Sequence, residues 1–402
     1  MIRNISISHL IALYFALAAI SLSLNNFIGL PGGISLTQPL VLLVIFIFVT
    51  RFIKIGLLYQ ELLLATVMLF FLVFCFFYQA IVYKEFSLVK QMLYFIFSFS
   101  IANILVKDRE DLISKTVLYV SFSFAIVAFL NSIYYIMSGA ERIGLSSSLI
   151  LVKQEFTVVF SIFIGYFSYK LSMSRVTKID CVVLILVLLA SLLIPIKSVL
   201  FVLAVLLASV YKNKILTWYG FFGVFIVIPL YLFLFTPDSL SILIKYYVYN
   251  EYLDKEVFRQ LDTLIIREII VVENLKGLTS SLGTFIFGSG FNFTEGMIYQ
   301  SESGWYEQDL GLAFESGILF FLVNFGVLGS LMMLYLGLRL FRTPAVTFFQ
   351  YLFLAVLVSN VFQDNVGSMF WFLFGLAWSD KIRFSNSYHF INDIAGGSVA
   401  KS

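Results

Sequence analysis

The sequence predicts an all-α polytopic membrane protein of about twelve transmembrane helices, interrupted once by a large, partly helical loop on the outer side. Three observations lead there. Hydrophobic residues fill 61% of 402 positions and charged residues 12%, against roughly half and a quarter in a soluble chain. Apolar tracts near the ~20 residues a spanning helix needs recur from Leu10 to Phe384. The basic residues gather in alternate connections between those tracts.

The tracts fall at 8–28, 39–54, 61–83, 88–106, 112–137, 150–171, 180–194, 197–211, 215–235, 312–340, 345–362 and 366–382. The first follows Arg3 and lacks a small-residue cleavage site, so it reads as a retained helix, not a removed signal. The pair 180–194 and 197–211 is short and divided only at Pro195. An even count puts both termini on one side. With that side cytoplasmic, its loops and tails hold Arg3, Arg51, Lys54, Lys107, Arg109, Lys115, Lys170, Arg175, Lys178, Lys212, Lys214, Arg339, Arg342, Lys381, Arg383 and Lys401. The opposite short connections hold only Lys84, Lys90, Arg142, Lys153 and Lys197. This asymmetry satisfies the positive-inside rule, which discounts long loops such as 237–310 because they translocate regardless of charge. The chain thus divides into a nine-span bundle (1–236), an outer loop (237–310), a three-span bundle (311–384) and a cytoplasmic tail (385–402).

Much familiar chemistry is excluded. Cys75 and Cys181 lie in separate apolar tracts and read as packing residues. His9 and His389 stand at opposite ends of the chain. No His/Cys cluster suits zinc, and no phosphate-loop, dinucleotide or triad motif occurs. A net charge of +3 says little by itself; no cofactor and no nucleic-acid partner are expected.

Segment 237–310 is far longer than a connection needs, and loops of that length are usually functional or disordered. This one is not disordered in composition. VFRQLDTLIIREIIVVENL, from Val257 to Leu275, places Phe258, Leu261, Ile265, Val272 and Leu275 at steps of three to seven residues, interrupted by Arg259, Asp262 and Glu273. The spacing predicts an amphipathic helix at the membrane surface or against the bundle. Arg259 and Arg267 differ by only about 80° around such a helix and can face one cavity. Beyond it, SSLGTFIFGSGFNF carries Gly283, Gly288 and Gly290, which permit a tight turn or a close approach of backbone to ligand. An acidic, aromatic run with Glu295, Glu302, Glu307 and Asp309 then leads to the next span without a lysine or arginine. Sixteen of the 23 carboxylates fall on the outer side, eleven of them within 237–310. For any one acid a solvated loop surface is the plain alternative.

Three other outer positions carry chemistry. Arg142 lies in SGAERIGLSSS, between the fifth and sixth spans. Lys197 and Ser198 follow Pro195 at the start of the eighth. Free backbone N–H groups, the helix dipole and an ammonium together make an anion site there; a snorkelling interfacial lysine is the alternative.

Transporters keep polar residues near the midplane, on broken helices, often within internal repeats. The tracts here are nearly free of charge at mid-depth and show no repeat. A lipid-linked-oligosaccharide flippase would be expected to carry charge along its path and has no need of so long an outer loop. An enzyme acting on a lipid-carried substrate fits better, with arginines and a lysine on a phosphate leaving group and a carboxylate as base.

The plan and these local features resemble the bacterial O-antigen polymerases (Wzy), relatives of the O-antigen ligases. The resemblance lies in the single large periplasmic loop near the C-terminal third, Arg142 in RIG, and Lys197-Ser198 opening a span. It continues in Arg267 ahead of FGSGF, and in DLGLAFESG followed by FGVLG from Phe325 to Gly329. Ligases of this superfamily typically place a histidine in the large loop, and none stands there. The resemblance implies a metal-independent, GT-C-like glycosyltransferase of the bacterial inner membrane. Its donor and acceptor would both be undecaprenyl-pyrophosphate-linked oligosaccharides, and a chain-length regulator and a flippase would be its partners. By that reading Arg142, Lys197, Ser198, Arg259 and Arg267 hold pyrophosphate, Asp309 or Glu307 is the general base, and Gly288 and Gly290 shape the loop turn.

Overall fold

The computed structural model describes residues 12–16, 59–102, 110–138, 153–193, 199, 202–203, 266, 269–291, 293–294, 297–300, 307–309, 317–341, 346–360, 367 and 369–381. Helix dominates them, as expected. The labelled helices are α1 (Tyr59–Val82), α2 (Leu88–Ala102), α3 (Glu110–Ser138), α4 (Lys153–Ser172), α5 (Lys178–Leu193), α6 (Leu282–Phe287), α7 (Gly317–Leu340) and α8 (Phe348–Asn360). Residues 269–278 and 369–381 are also helical. A two-stranded antiparallel ribbon, β1 (Ile298–Gln300) and β2 (Glu307–Asp309), is the sole sheet among the described residues. Nothing in its acidic, aromatic sequence announced a strand. The expected spans 39–54 and 215–235 lie outside the described residues.

Among the described residues, three helices are long and apolar enough to cross a membrane: Leu63–Val82 within α1, Leu112–Leu130 within α3, and α7. Their outward faces are apolar too. On α1, Leu63, Val67, Phe70, Phe74, Phe77 and Ile81 form one exposed stripe at steps of three and four residues. A contiguous stripe of that kind suits hydrocarbon, not water.

The core is aromatic and joins α1 to α5, α7, α8 and helix 369–381. The most extensive helix pair is α4 with α8. It closes over Gly165, where a Cβ would stand 2.7 Å from the Tyr351 carbonyl oxygen and 3.1 Å from the Leu352 Cα. Without an apolar driving force between lipid-solvated helices, such small-residue contacts let backbones approach and gain dispersion. Helix 369–381 is tied to α2 by polar contacts inside the apolar packing. Trp371 Nε1 donates to Gln91 Oε1 at 3.1 Å, and the Ser98 hydroxyl donates to the Trp371 carbonyl.

Helix starts are capped by their own side chains. At α5, the Thr177 N–H donates to Asp180 Oδ2 at 2.8 Å and the Asp180 N–H to Thr177 Oγ1 at 3.3 Å, a reciprocal cap. Asp180 is fully buried, and Tyr166 Oη and Lys170 Nζ donate to it from α4 at 2.7 and 3.0 Å. The turn between the two helices is thereby locked. At α8, the Thr347 N–H donates to Gln350 Oε1 at 2.9 Å, while Gln350 Nε2 caps the Leu340 carbonyl at the end of α7.

Gly165→Val therefore forces α4 and α8 apart. A loss of about 1–3 kcal/mol, the usual cost of overpacking, is expected as a lower melting temperature in detergent. Gly337→Ala, which meets nothing within 4 Å and replaces a helix-interior glycine, is expected to keep or slightly raise the melting temperature.

Candidate functional site

Helix α7 is broken. Gly326 has φ 65° and ψ −177°, outside helical geometry, so two helical halves meet at that residue. A break strands the carbonyls of the preceding turn, and inside an apolar bundle they need new donors. The glycine turn that follows α6 supplies them. Ser289 N–H donates to the Val323 carbonyl at 2.8 Å and Gly290 N–H to the same oxygen at 3.2 Å. Gln79, fully buried on α1, donates from Nε2 to the Asn324 carbonyl at 2.7 Å and to the Phe287 carbonyl at 3.0 Å. One amide thus clasps the turn and the break together.

The fit requires glycine on both sides. Gly288 and Gly326 both have positive φ, 75° and 65°. A Cβ on Gly288 would stand 2.8 Å from the Gly326 nitrogen, and one on Gly326 would collide with the Ile286 carbonyl. Gly290 also has positive φ, 82°.

Helix α6 is short, and side chains hold it. Ser281 caps it by accepting from the Thr284 N–H. The hydroxyls of Tyr78, Ser281, Thr284 and Tyr83 join in one hydrogen-bonded cluster, with Tyr78 at 3.3 Å from Thr284. On the far side of the turn, Ser87 donates to the Gly290 carbonyl at 2.7 Å. Glu85 Oε1 meanwhile accepts from the Phe86 and Ser87 N–H groups at 3.0 and 2.8 Å. Tyr83 meets Phe291 edge-on with ring centres 5.3 Å apart. This end of the bundle therefore carries hydroxyls, an amide, a carboxylate and aromatic rings on one backbone frame.

Helical residues 269–278 pack on the first half of α7, with Ile266, Ile269 and Ile270 against Leu319 and Val323. The packed face differs from the predicted stripe. Ile266, Ile270, Asn274 and Leu278 are buried, whereas Val272 and Leu275 are exposed. Steps of four residues around Asn274 place that polar side chain inward, where it is satisfied. Its Nδ2 donates to the Ile270 carbonyl at 2.7 Å, and its Oδ1 accepts from the Phe293 N–H at 3.1 Å.

Of the residues singled out in the sequence, Gly288 and Gly290 form the turn as expected. Glu307 and Asp309 lie in β2, paired in backbone register with Gln300 and Ile298; their side chains lie outside what is described. Arg142, Lys197, Ser198, Arg259 and Arg267 also lie outside the described residues. Gln79, Asn274, Asn324 and Gly326 were missed. Gln79 and Asn324 could have been found as lone amides in apolar tracts, FFYQAIV and FLVNFGV. Among the described residues no cluster of His, Cys, Asp or Glu could hold a metal. No family model, curated protein or solved structure matches this chain.

Gln79→Leu strands the Phe287 and Asn324 carbonyls, each costing about 1–3 kcal/mol. Limited proteolysis of the folded protein between Gly288 and Gln300 is expected to quicken at least tenfold. An unchanged cleavage rate would show that Gln79 does not hold the turn.

Proposed function

We propose that the chain is an integral-membrane glycosyltransferase that polymerises lipid-pyrophosphate-linked oligosaccharide repeats into a surface polysaccharide, by the plan of the O-antigen polymerases. In this reading it has twelve spans and a GT-C-like arrangement in the bacterial inner membrane. Both termini are cytoplasmic and the segment 237–310 faces the periplasm. One observation carries the reading furthest: the glycine turn of the long segment is built into the bundle, clasped by α1 and seated in the break of α7. A mere linker has no use for that, whereas a reacting surface needs its backbone fixed to within fractions of an ångström.

In the reaction, an acceptor hydroxyl oxygen attacks the anomeric carbon of the donor sugar. The bond from that carbon to the lipid pyrophosphate oxygen breaks, and the hydroxyl proton passes to a carboxylate. Asp309 or Glu307 takes the proton, while Arg267, Lys197 and Arg142, with Ser198 and Arg259, stabilise the departing pyrophosphate. Guanidinium groups suit that task because their planar forks pair with phosphate oxygens and stay charged.

The break at Gly326 also favours a second reading, a lipid-linked-oligosaccharide flippase, because transporters often build their sites on discontinuous helices. Purified protein reconstituted with lipid-pyrophosphate-linked repeats separates the two. A ladder of longer products is the expected result. Flipping without elongation would establish the flippase, and transfer only to a lipid A core would establish a ligase. Arg267→Ala and Asp309→Asn are each expected to lower elongation at least a hundredfold, since one lost electrostatic contact in a transition state costs about 2.7–4 kcal/mol. Normal chain length and yield from both variants at matched expression would refute these roles.

A further inference from the structure

The connection between α1 and α2 lies against the glycine turn through the bond from Ser87 to the Gly290 carbonyl, and Glu85 stands at its centre. Glu85 Oε1 accepts from the Phe86 and Ser87 N–H groups at the start of α2, as a capping carboxylate does. Its other oxygen, Oε2, has no donor among the described residues. The Glu85 side chain also packs on Gly290, where a Cβ would stand 3.0 Å from Glu85 Cγ and collide with Gln79 Oε1. Gln79 Oε1 is buried and has no hydrogen-bond partner either. Capping and fastening therefore leave two acceptors beside Gly290 unused, one of them on a carboxylate.

A row of rings adjoins them. Tyr78 and Tyr83 have ring centres 6.1 Å apart, Tyr83 and Phe291 5.3 Å, and Phe291 and Phe293 5.0 Å. The row runs from the end of α1 to helix 269–278, where Phe293 covers Gly277. Tyr83, Glu85, Phe291 and Phe293 are all half-buried, and Phe86 beside Glu85 is 60% exposed. Ring faces are electron-rich and suit the C–H groups on one face of a sugar, while the hydroxyls at its edge are donors. An ionised carboxylate only accepts hydrogen bonds, so it suits those hydroxyls and repels a phosphate.

We propose that this surface seats the acceptor sugar, its apolar face on Tyr83 and Phe291 and one hydroxyl donating to Glu85 Oε2. The proposal rests on the polymerase reading and adds the acceptor's place to it. Glu85 binds and orients the sugar, while the proton of the attacking hydroxyl passes to Asp309 or Glu307.

The test measures how the full chain in nanodiscs binds a lipid-pyrophosphate-linked repeat and bare undecaprenyl pyrophosphate, alongside elongation. Glu85→Gln keeps an oxygen for the Phe86 and Ser87 N–H groups and puts an NH2 donor where Oε2 stood. Its melting temperature is therefore expected to match the wild type. It is expected to bind the repeat at least tenfold more weakly, the scale of a hydrogen bond to a charged group, and the bare lipid equally well. Elongation is expected to show a matching rise in KM with kcat nearly kept. Phe291→Leu, which removes a ring and keeps apolar bulk, is expected to weaken repeat binding several-fold, and is read instead if Glu85→Gln does not fold. Glu273→Gln, at a carboxylate paired with Lys276, is expected to change neither affinity. Equal repeat binding by the wild type and Glu85→Gln, or an equal loss for the bare lipid, would overturn the seat even where a ladder forms. A sugar-dependent loss in Glu85→Gln without any ladder from the wild type would support the sugar seat and refute the polymerase reading.

Discussion

Gly288 and Gly326 approach so closely that neither position has room for a Cβ, and both take backbone angles that favour glycine. That contact is the constraint on which this end of the molecule depends. An intact α7 would satisfy its own carbonyls and offer the turn nothing to hold. A break without the turn would leave the Val323 carbonyl bare among apolar side chains, and without Gln79 the Asn324 carbonyl as well, each an unpaired polar group that costs free energy. Each feature thus makes the other tolerable, with Gln79 supplying the donors that the turn's own backbone lacks.

The same economy recurs at three other places where a polar group enters the apolar packing. Asp180 has donors from Tyr166, Lys170 and Thr177. Gln350 caps its own helix with its oxygen and the preceding one with its nitrogen. Ser98 and Gln91 tie helix 369–381 to α2. In each case the polar group fixes how two helices meet, which dispersion among phenylalanines alone specifies poorly. The cluster around the glycine turn differs in having more hydroxyls and a carboxylate than the fastening of a loop needs, and this surplus is what a working surface would require.

Much of the helical plan was legible because it depends on hydropathy, a property summed over twenty residues. The expected tracts 61–83, 112–137 and 345–362 reappear as α1, α3 and α8 with ends moved by a few residues. Gly288 and Gly290 were legible for a different reason: closely spaced glycines beside a short apolar run leave few roles other than a turn. The break at Gly326 was not legible, since a single glycine in LVNFGVLG barely changes the hydropathy and its recurring glycines fit an ordinary span equally well. Gln79 stands out as a lone amide in an apolar tract, but its task was hidden because it is set by a partner more than two hundred residues away. The packed face of helix 269–278 was misjudged because Asn274 counts as polar in any stripe, yet two backbone partners let it turn inward. Register within the ribbon, too, follows from backbone pairing that its sequence does not encode.

The docking of the glycine turn into the α7 break is open to direct measurement by amide hydrogen exchange on the full-length protein in lipid nanodiscs. The informative peptide spans Ser281 to Phe291. Its Gly288, Ser289 and Gly290 amides donate to the Thr284 and Val323 carbonyls, so exchange is expected to be slowed by orders of magnitude, at a rate comparable to the first half of α7. Complete exchange of this peptide within seconds, while α7 stays protected, would contradict the docking and remove the frame on which the proposed site stands.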